Sequence, residues 1–201
     1  VTVTINPIED SPVTSNMNVE TDEDVTVEIT LPATDVDGDS LSYSIEQWVS
    51  NGTLERSGNI INYTSDLNWN GTVFFTYRAN DGKSDSNLST VTILINPVND
   101  IPTSEDTSAE TNEDSPTSLG LNAQDIEGPL NDQFFYSIVT QPTNGTASVA
   151  STVPNNTCEY TPNENFYGTD TFTFRASDGT DDGNIATVTV TVTPVDDFPE
   201  A

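Results

Sequence analysis

An all-β fold of two tandem β-sandwiches is what this sequence predicts, and three observations predict it. A pattern of about 95 residues occurs twice, each copy alternates apolar and polar residues, and Gly, Asn, Asp and Pro punctuate the alternation. The duplication is explicit in "NPIEDSP" (6–12), "NPVNDIP" (96–102) and "TPVDDFP" (193–199), spaced by 90 and 97 residues. Between these marks "TDED" (21–24) returns as "TNED" (111–114), and "DVDGD" (35–39) as "DIEGP" (125–129). "YTSDLNWNGTVFFTYRANDG" (63–82) aligns without gaps to "YTPNENFYGTDTFTFRASDG" (160–179), with 11 of 20 positions identical. The expected organisation is a first repeat over 11–100 and a second over 101–197. Residues 1–10 would be the last strand and linker of a preceding repeat, and 198–201 the start of a following one.

Each repeat reads as strands throughout. "VTVEITL", "INYTSD", "VFFTYRA" and "STVTILIN" in the first copy, and "CEYT", "TFTFRAS" and "ATVTVTVT" in the second, are rich in Thr, Val, Ile and aromatics. About seven short strands per repeat point to an immunoglobulin-like sandwich. The sixth strand should face the core with Phe75, Tyr77 and Ala79, and in the second copy with Phe172, Phe174 and Ala176. Trp69 and Phe166, at equal positions, also read as core.

Charge narrows the function. The chain has 201 residues, 33 Asp+Glu, 4 Lys+Arg and no His, for a net charge of −29. That balance disfavours nucleic acid and anionic membranes and favours divalent cations. One cysteine, Cys158, excludes an intrachain disulfide, and without histidine it has no Cys–His partner. No long apolar run crosses a membrane. An extracellular or cell-surface location is expected, with metal ions bracing the domains in place of disulfides.

The recurring acids lie off the strands. Glu23 and Glu113 fall between the first and second strands; Asp35/Asp37 and Asp125/Glu127 follow the second. Asp66/Asn68 and Asn163/Asn165 precede the sixth strand, and Asp81 and Asp178 follow it. Glu9/Asp10, Asn99/Asp100 and Asp196/Asp197 belong to the linkers. Successive strand ends alternate between two poles. The loops after the second and sixth strands therefore share the pole facing the preceding linker, and the other two groups share the opposite pole. By this count Asp100 can meet Glu23, Asp66 and Asn68 of the first repeat and Asp125, Glu127 and Asp178 of the second. Two carboxylates about 4 Å apart repel by ~4 kcal/mol at an effective dielectric near 20, so solvent or a cation must separate them. Calcium takes six to eight oxygens in irregular geometry, whereas zinc and copper lack their preferred ligands here.

"ATDVDGDSLSYSI" (33–45), "DEDV" and "NEDS", "RANDG" and "RASDG", and "NPVNDIP" resemble, in order, motifs of cadherin repeats. The similarity is to the cadherin-like tandem repeats of large bacterial surface and secreted adhesins. It implies calcium between successive domains, bound by Glu23, Asp66, Asn68, Asn99, Asp100, Asp125, Glu127 and Asp178. End sites lacking a neighbour would bind more weakly: Glu9, Asp10, Asp35, Asp37 and Asp81 at the start, and Glu113, Asn163, Asn165, Asp196 and Asp197 at the end. Two departures lower ion count or affinity. The Asp-Arg-Glu motif is reduced to "DLN" (66–68) and "NEN" (163–165), and the linkers are short. Asp39 has no counterpart either, since Pro129 stands there.

Asp35, Asp37, Asp39 and Glu46 also match EF-hand ligand positions, but Ser40 replaces the required glycine and the flanks are strands. Six Asn-x-Ser/Thr sequons, among them those at Asn51 and Asn144, read as turns. The expected function is a calcium-rigidified extender of a multi-repeat adhesin, not an enzyme, whose partners are neighbouring repeats. The alternatives are a module gripping carbohydrate through exposed Trp48, Phe135 or Tyr167, and homophilic adhesion between molecules.

Overall fold

A computed structural model describes residues 8–126, 134–150 and 156–196. The chain divides into two compact units, Val1–Val98 and Asn99–Ala201. The first comprises β1 (Val13–Thr14), β2 (Met17–Asp22), β3 (Val27–Thr30), β4 (Ala33–Thr34), β5 (Ser42–Gln47), β6 (Thr53–Ser57), β7 (Ile60–Thr64), β8 (Gly71–Asn80) and β9 (Ser89–Asn96). The second repeats the series as β10 (Thr103–Glu105), β11 (Thr107–Asn112), β12 (Thr117–Gly120), β13 (Asn122–Gln124), β14 (Phe135–Thr140), β15 (Gly145–Val149), β16 (Thr157–Pro162), β17 (Gly168–Ser177) and β18 (Ala186–Thr193).

Unit 1 stacks a four-stranded sheet, β2-β9-β8-β5, on a three-stranded sheet, β3-β7-β6, with β1 and β4 paired separately. Unit 2 has the same order: β11-β18-β17-β14, β12-β16-β15, and β10-β13. Strand β2 runs parallel to β9, and β11 parallel to β18. The expected seven strands are present, with the first and second each split in two. The second strand breaks at Leu31-Pro32 in unit 1 and at Leu121 in unit 2, where no proline stands, so a proline is not what breaks it; in unit 1 Pro32 does remove a backbone donor just after Leu31. Across the break the Tyr77 hydroxyl lies 2.8 Å from both the Ser15 and Pro32 carbonyls and supplies the missing donor.

The alternation of "STVTILIN" sets which residues face inward. In β9, Val91, Ile93 and Ile95 are buried, and in β18 Val188, Val190 and Val192 are. Phe75, Tyr77, Ala79, Phe172, Phe174 and Ala176 are all buried, as the alternation predicts. Each large side chain withdrawn from water contributes about 1.5–3 kcal/mol. Trp69 and Phe166 pack at the core margin. The Trp69 ring lies over Gly71, whose φ of 139° and bare Cα leave it room. Gly52 in the β5–β6 connection is equally constrained: its φ is 86°, and an added Cβ would stand 2.3 Å from the Thr64 carbonyl oxygen. The sequon at Asn51 is thus the tight turn its composition predicts.

Candidate functional site: the acidic poles of each unit

At one pole of unit 1 the entry segment meets the loops after β4 and β8. Asp35 accepts the amides of Asp37 (3.0 Å) and Asp39 (3.1 Å) on its Oδ1, closing the acidic loop on itself. Asp37 in turn accepts the amide of Asp10 at 2.8 Å. Asp81 accepts the Lys83 and Ser84 amides, both at 2.7 Å. These amides, Ser84 first, hold its carboxyl below the usual Asp range. Gly82, with φ of 93°, permits the turn. The turn carries Lys83 among the acids, where its ammonium pairs with Glu9 and lies 3.3 Å from Asp39. Those bonds, Glu9's first, raise the lysine's pKa. The structure therefore links Asp10 to Asp37, Asp35 to the amides of Asp37 and Asp39, and Glu9 and Asp39 to Lys83, while the Asp81 carboxylate is bonded within its own turn. Oδ2 of Asp35 is shielded from solvent without a hydrogen-bond partner.

The opposite pole of unit 1 is built on the β2–β3 turn. Glu23 is only 4% exposed. Its amide donates to the Asn96 carbonyl at 3.0 Å, and its Oε1 accepts the Val98 amide at 2.6 Å, so it clasps the exit of β9. Its Oε2 is buried with no hydrogen-bond partner. Asp24, in the left-handed region at φ 59°, accepts the Asn68 amide at 2.9 Å. This anchors the loop that carries exposed Asp66 beside Asn68.

Unit 2 repeats the second pole closely. Glu113 accepts the Val195 amide at 2.5 Å, and Asp114 accepts the Asn165 amide at 2.8 Å. Asn163 caps the same loop with its carbonyl, 3.1 Å from the Phe166 amide. Asp196 is exposed just beyond the clasp. The first pole differs in its partners. Asp178 Oδ1 accepts the amides of Thr180 (2.6 Å) and Asp181 (2.8 Å). Asn99 donates its side-chain amide to Asp178 at 2.8 Å and to Asp181 at 3.1 Å. The Asp181 amide, then Asn99 and the Thr180 amide, hold the Asp178 carboxyl low. Asp100 and Asp125 are half-buried. Glu127 and Asp197 lie outside the described residues.

Among the described residues, no three or more Asp, Glu, Cys or His side chains are already grouped to hold a metal ion. Asp24, Asp114, Lys83 and Asp181 have roles the motif pattern does not assign. The signal for Asp24 and Asp114 was their place in a tight turn, where Asp tolerates positive φ. Glu46, the twelfth residue of the EF-hand match, accepts from Ser44 at 2.7 Å on strand β5, and the described residues contain no helix to flank such a loop. Cys158 is fully buried in the unit 2 core, and burial pushes its thiol up to about 11.

Two β-sandwiches that follow one another along the sequence, each with acidic ends, define a tandem immunoglobulin-like chain. The chain belongs to the bacterial Ig domain family, whose profile matches residues 9–94 and 99–193. Among solved structures it is similar to human mucin-like protocadherin EC1-2, at 16% identity and a TM-score of 0.57, over 92% of this chain and 98% of that one. The protocadherin GammaB4 extracellular domain matches at 14% identity and a TM-score of 0.55, over 90% of this chain and 34% of that one. An endo-fucoidan hydrolase from glycoside hydrolase family 107 matches at 19% identity and a TM-score of only 0.40, over 96% of this chain and 30% of that one. The chain thus spans about a third of the length of such larger proteins. No curated protein matches it.

Proposed function

We propose that the chain is a calcium-rigidified extender of a cell-surface or secreted multi-repeat protein. One observation carries this reading: Glu23, almost wholly buried, holds the Val98 amide with one oxygen and leaves the other without a partner. A buried carboxylate oxygen without a donor is costly, and a cation is the partner that a chain of net charge −29 attracts. Glu23, Asp66 and Asn68 from unit 1, and Asn99, Asp100, Asp125, Glu127 and Asp178 from unit 2, are the proposed ligands. They are all oxygen donors, which suits calcium and not zinc or copper. The linker also supports the reading, since Val98 is held by a carboxylate of unit 1 and the next residue, Asn99, by carboxylates of unit 2. Calcium supplies charge neutralisation at the poles; the chain's own residues supply the hold on the linker. Repeats stiffened in this way would carry an adhesive surface away from the cell, with neighbouring repeats as partners.

Calorimetry in calcium and in chelator, at matched ionic strength, tests this. Extracellular modules bind at ~10⁻⁴–10⁻³ M, and a ligand at 100 times its Kd stabilises by about 2.7 kcal/mol. The expected result is a Tm several degrees higher in about 10 mM calcium, with a smaller gain in Glu23→Gln. Equal Tm values in calcium and chelator contradict the reading.

Exposure favours the carbohydrate-binding alternative at Trp48 (59%), Phe135 (49%) and Tyr167 (63%). Glycan-array binding that Trp48→Ala abolishes would support it.

A further inference from the structure

The two units differ at one pole in the sign of a single side chain. In unit 1 the turn after β8 reads Asp81-Gly82-Lys83-Ser84; in unit 2 the turn after β17 reads Asp178-Gly179-Thr180-Asp181. The backbone is the same in both: a glycine at φ 93° or 98°, and an Asp accepting the amides two and three residues on. Residue for residue, then, Lys83 stands where unit 2 has Thr180, and Glu9 where unit 2 has Asn99. In unit 2 the linker residue reaches the turn as a neutral amide bonded to two carboxylates. In unit 1 it reaches the turn as a carboxylate bonded to the ammonium, which also lies 3.3 Å from Asp39.

Lys83 is the chain's only lysine, and the three arginines are engaged elsewhere. Arg56 donates to the Gly58 carbonyl, Arg78 to the Ser86 carbonyl, and Arg175 pairs with Asp182. Exposed ion pairs stabilise little on average, so a stability role does not account for this placement. What the placement does provide is a fixed positive charge held between a linker carboxylate, Glu9, and a loop carboxylate, Asp39, and such a charge repels a divalent ion brought to the same two groups.

We propose that Lys83 is the resident cation of the entry pole of unit 1, and that its ammonium keeps a calcium ion from Glu9 and Asp39, the two carboxylates it holds. The inference builds on the calcium reading above and makes one pole of unit 1 independent of metal.

Native mass spectrometry and isothermal calorimetry on the full chain test it by counting bound calcium in wild type, Lys83→Thr and Lys83→Arg. Lys83→Thr installs the unit 2 residue at a half-exposed position, and near-UV circular dichroism checks its fold. The expected result is one ion more in Lys83→Thr than in wild type, and no change in Lys83→Arg. An equal count in wild type and Lys83→Thr overturns the inference, as does a gain in Lys83→Arg. The wild-type count tests the calcium reading separately: a wild type without calcium contradicts that reading, while a single ion gained by Lys83→Thr still upholds the role of Lys83.

Discussion

Units 1 and 2 share one strand order and one set of aromatic core positions, yet they fill two inner positions with opposite chemistry. Val73 is buried in β8; its counterpart in β17 is Asp170, also buried, at 4% exposure. Asp170 accepts the Thr143 amide at 3.1 Å, the Asn144 and Thr171 amides at 2.9 Å each and the Tyr160 hydroxyl at 3.0 Å. Burial and then the adjacent Asp170 drive the Tyr160 pKa up, so the phenol remains a donor. In unit 1 the matching Tyr63 hydroxyl donates to the Asn51 carbonyl at 3.1 Å and needs no acid. Tyr77 shows the converse: its hydroxyl bridges the broken strands of unit 1, while unit 2 has Phe174 there. Each unit thus carries one buried polar network that the other omits. The comparison teaches that the sandwich depends on inward apolar periodicity, and that each network is local.

Exchanging these residues sharpens the comparison. The largest effect is expected from Asp170→Val, which installs the unit 1 residue but takes the carboxylate from three amides and leaves the Tyr160 hydroxyl only the Asn144 carbonyl, at 3.5 Å. It should cost unit 2 about 2–4 kcal/mol and leave unit 1 unchanged. Cys158 provides the readout, because its buried thiol reacts only when unit 2 opens. Faster native-state labelling in Asp170→Val is expected; an unchanged rate would mean that the network contributes nothing. Tyr77→Phe, the reverse exchange, should cost unit 1 about 1 kcal/mol in denaturant unfolding, with no change in Cys158 labelling.

The smallest effect lies at the poles. Asp81 and Asp178 are both held below the ordinary Asp value by backbone amides. A lowered folded pKa means stability that is present above the unfolded value of about 3.9 and is lost as pH falls through the folded one. Asp81→Asn should flatten the acid limb of the unit 1 transition, and Asp178→Asn that of unit 2. Identical acid limbs in wild type and variants would remove the pole carboxylates from the account.

Much of the fold is legible in the sequence, because period-2 burial is a local signal. "STVTILIN" and "ATVTVTVT" coincide with β9 and β18 residue for residue. The split first and second strands are not legible. They are held by side chains distant in sequence: Asn87 clasps Thr14 from both sides, at 3.0 Å to its amide and 3.0 Å to its carbonyl, and Asn184 does the same for Ser104. Of the candidate site, counting strand ends groups Asp35, Asp37 and Asp81 with Glu9 and Asp10, because alternation of poles needs only connectivity. The partners escape that count. That Glu23 clasps Val98, and that Lys83 sits among the acids, depends on turn conformations fixed by Asp24 and Gly82.

The proposal on which the account rests is that calcium would stiffen the chain at residues 98–100. Small-angle X-ray scattering on the full chain measures this directly, in chelator and in about 5 mM calcium, above the range of extracellular modules, at matched ionic strength. The account predicts a longer maximum dimension with a narrower distance distribution in calcium, and recovery of the chelator profile when the metal is removed. Superimposable profiles in the two conditions would contradict it.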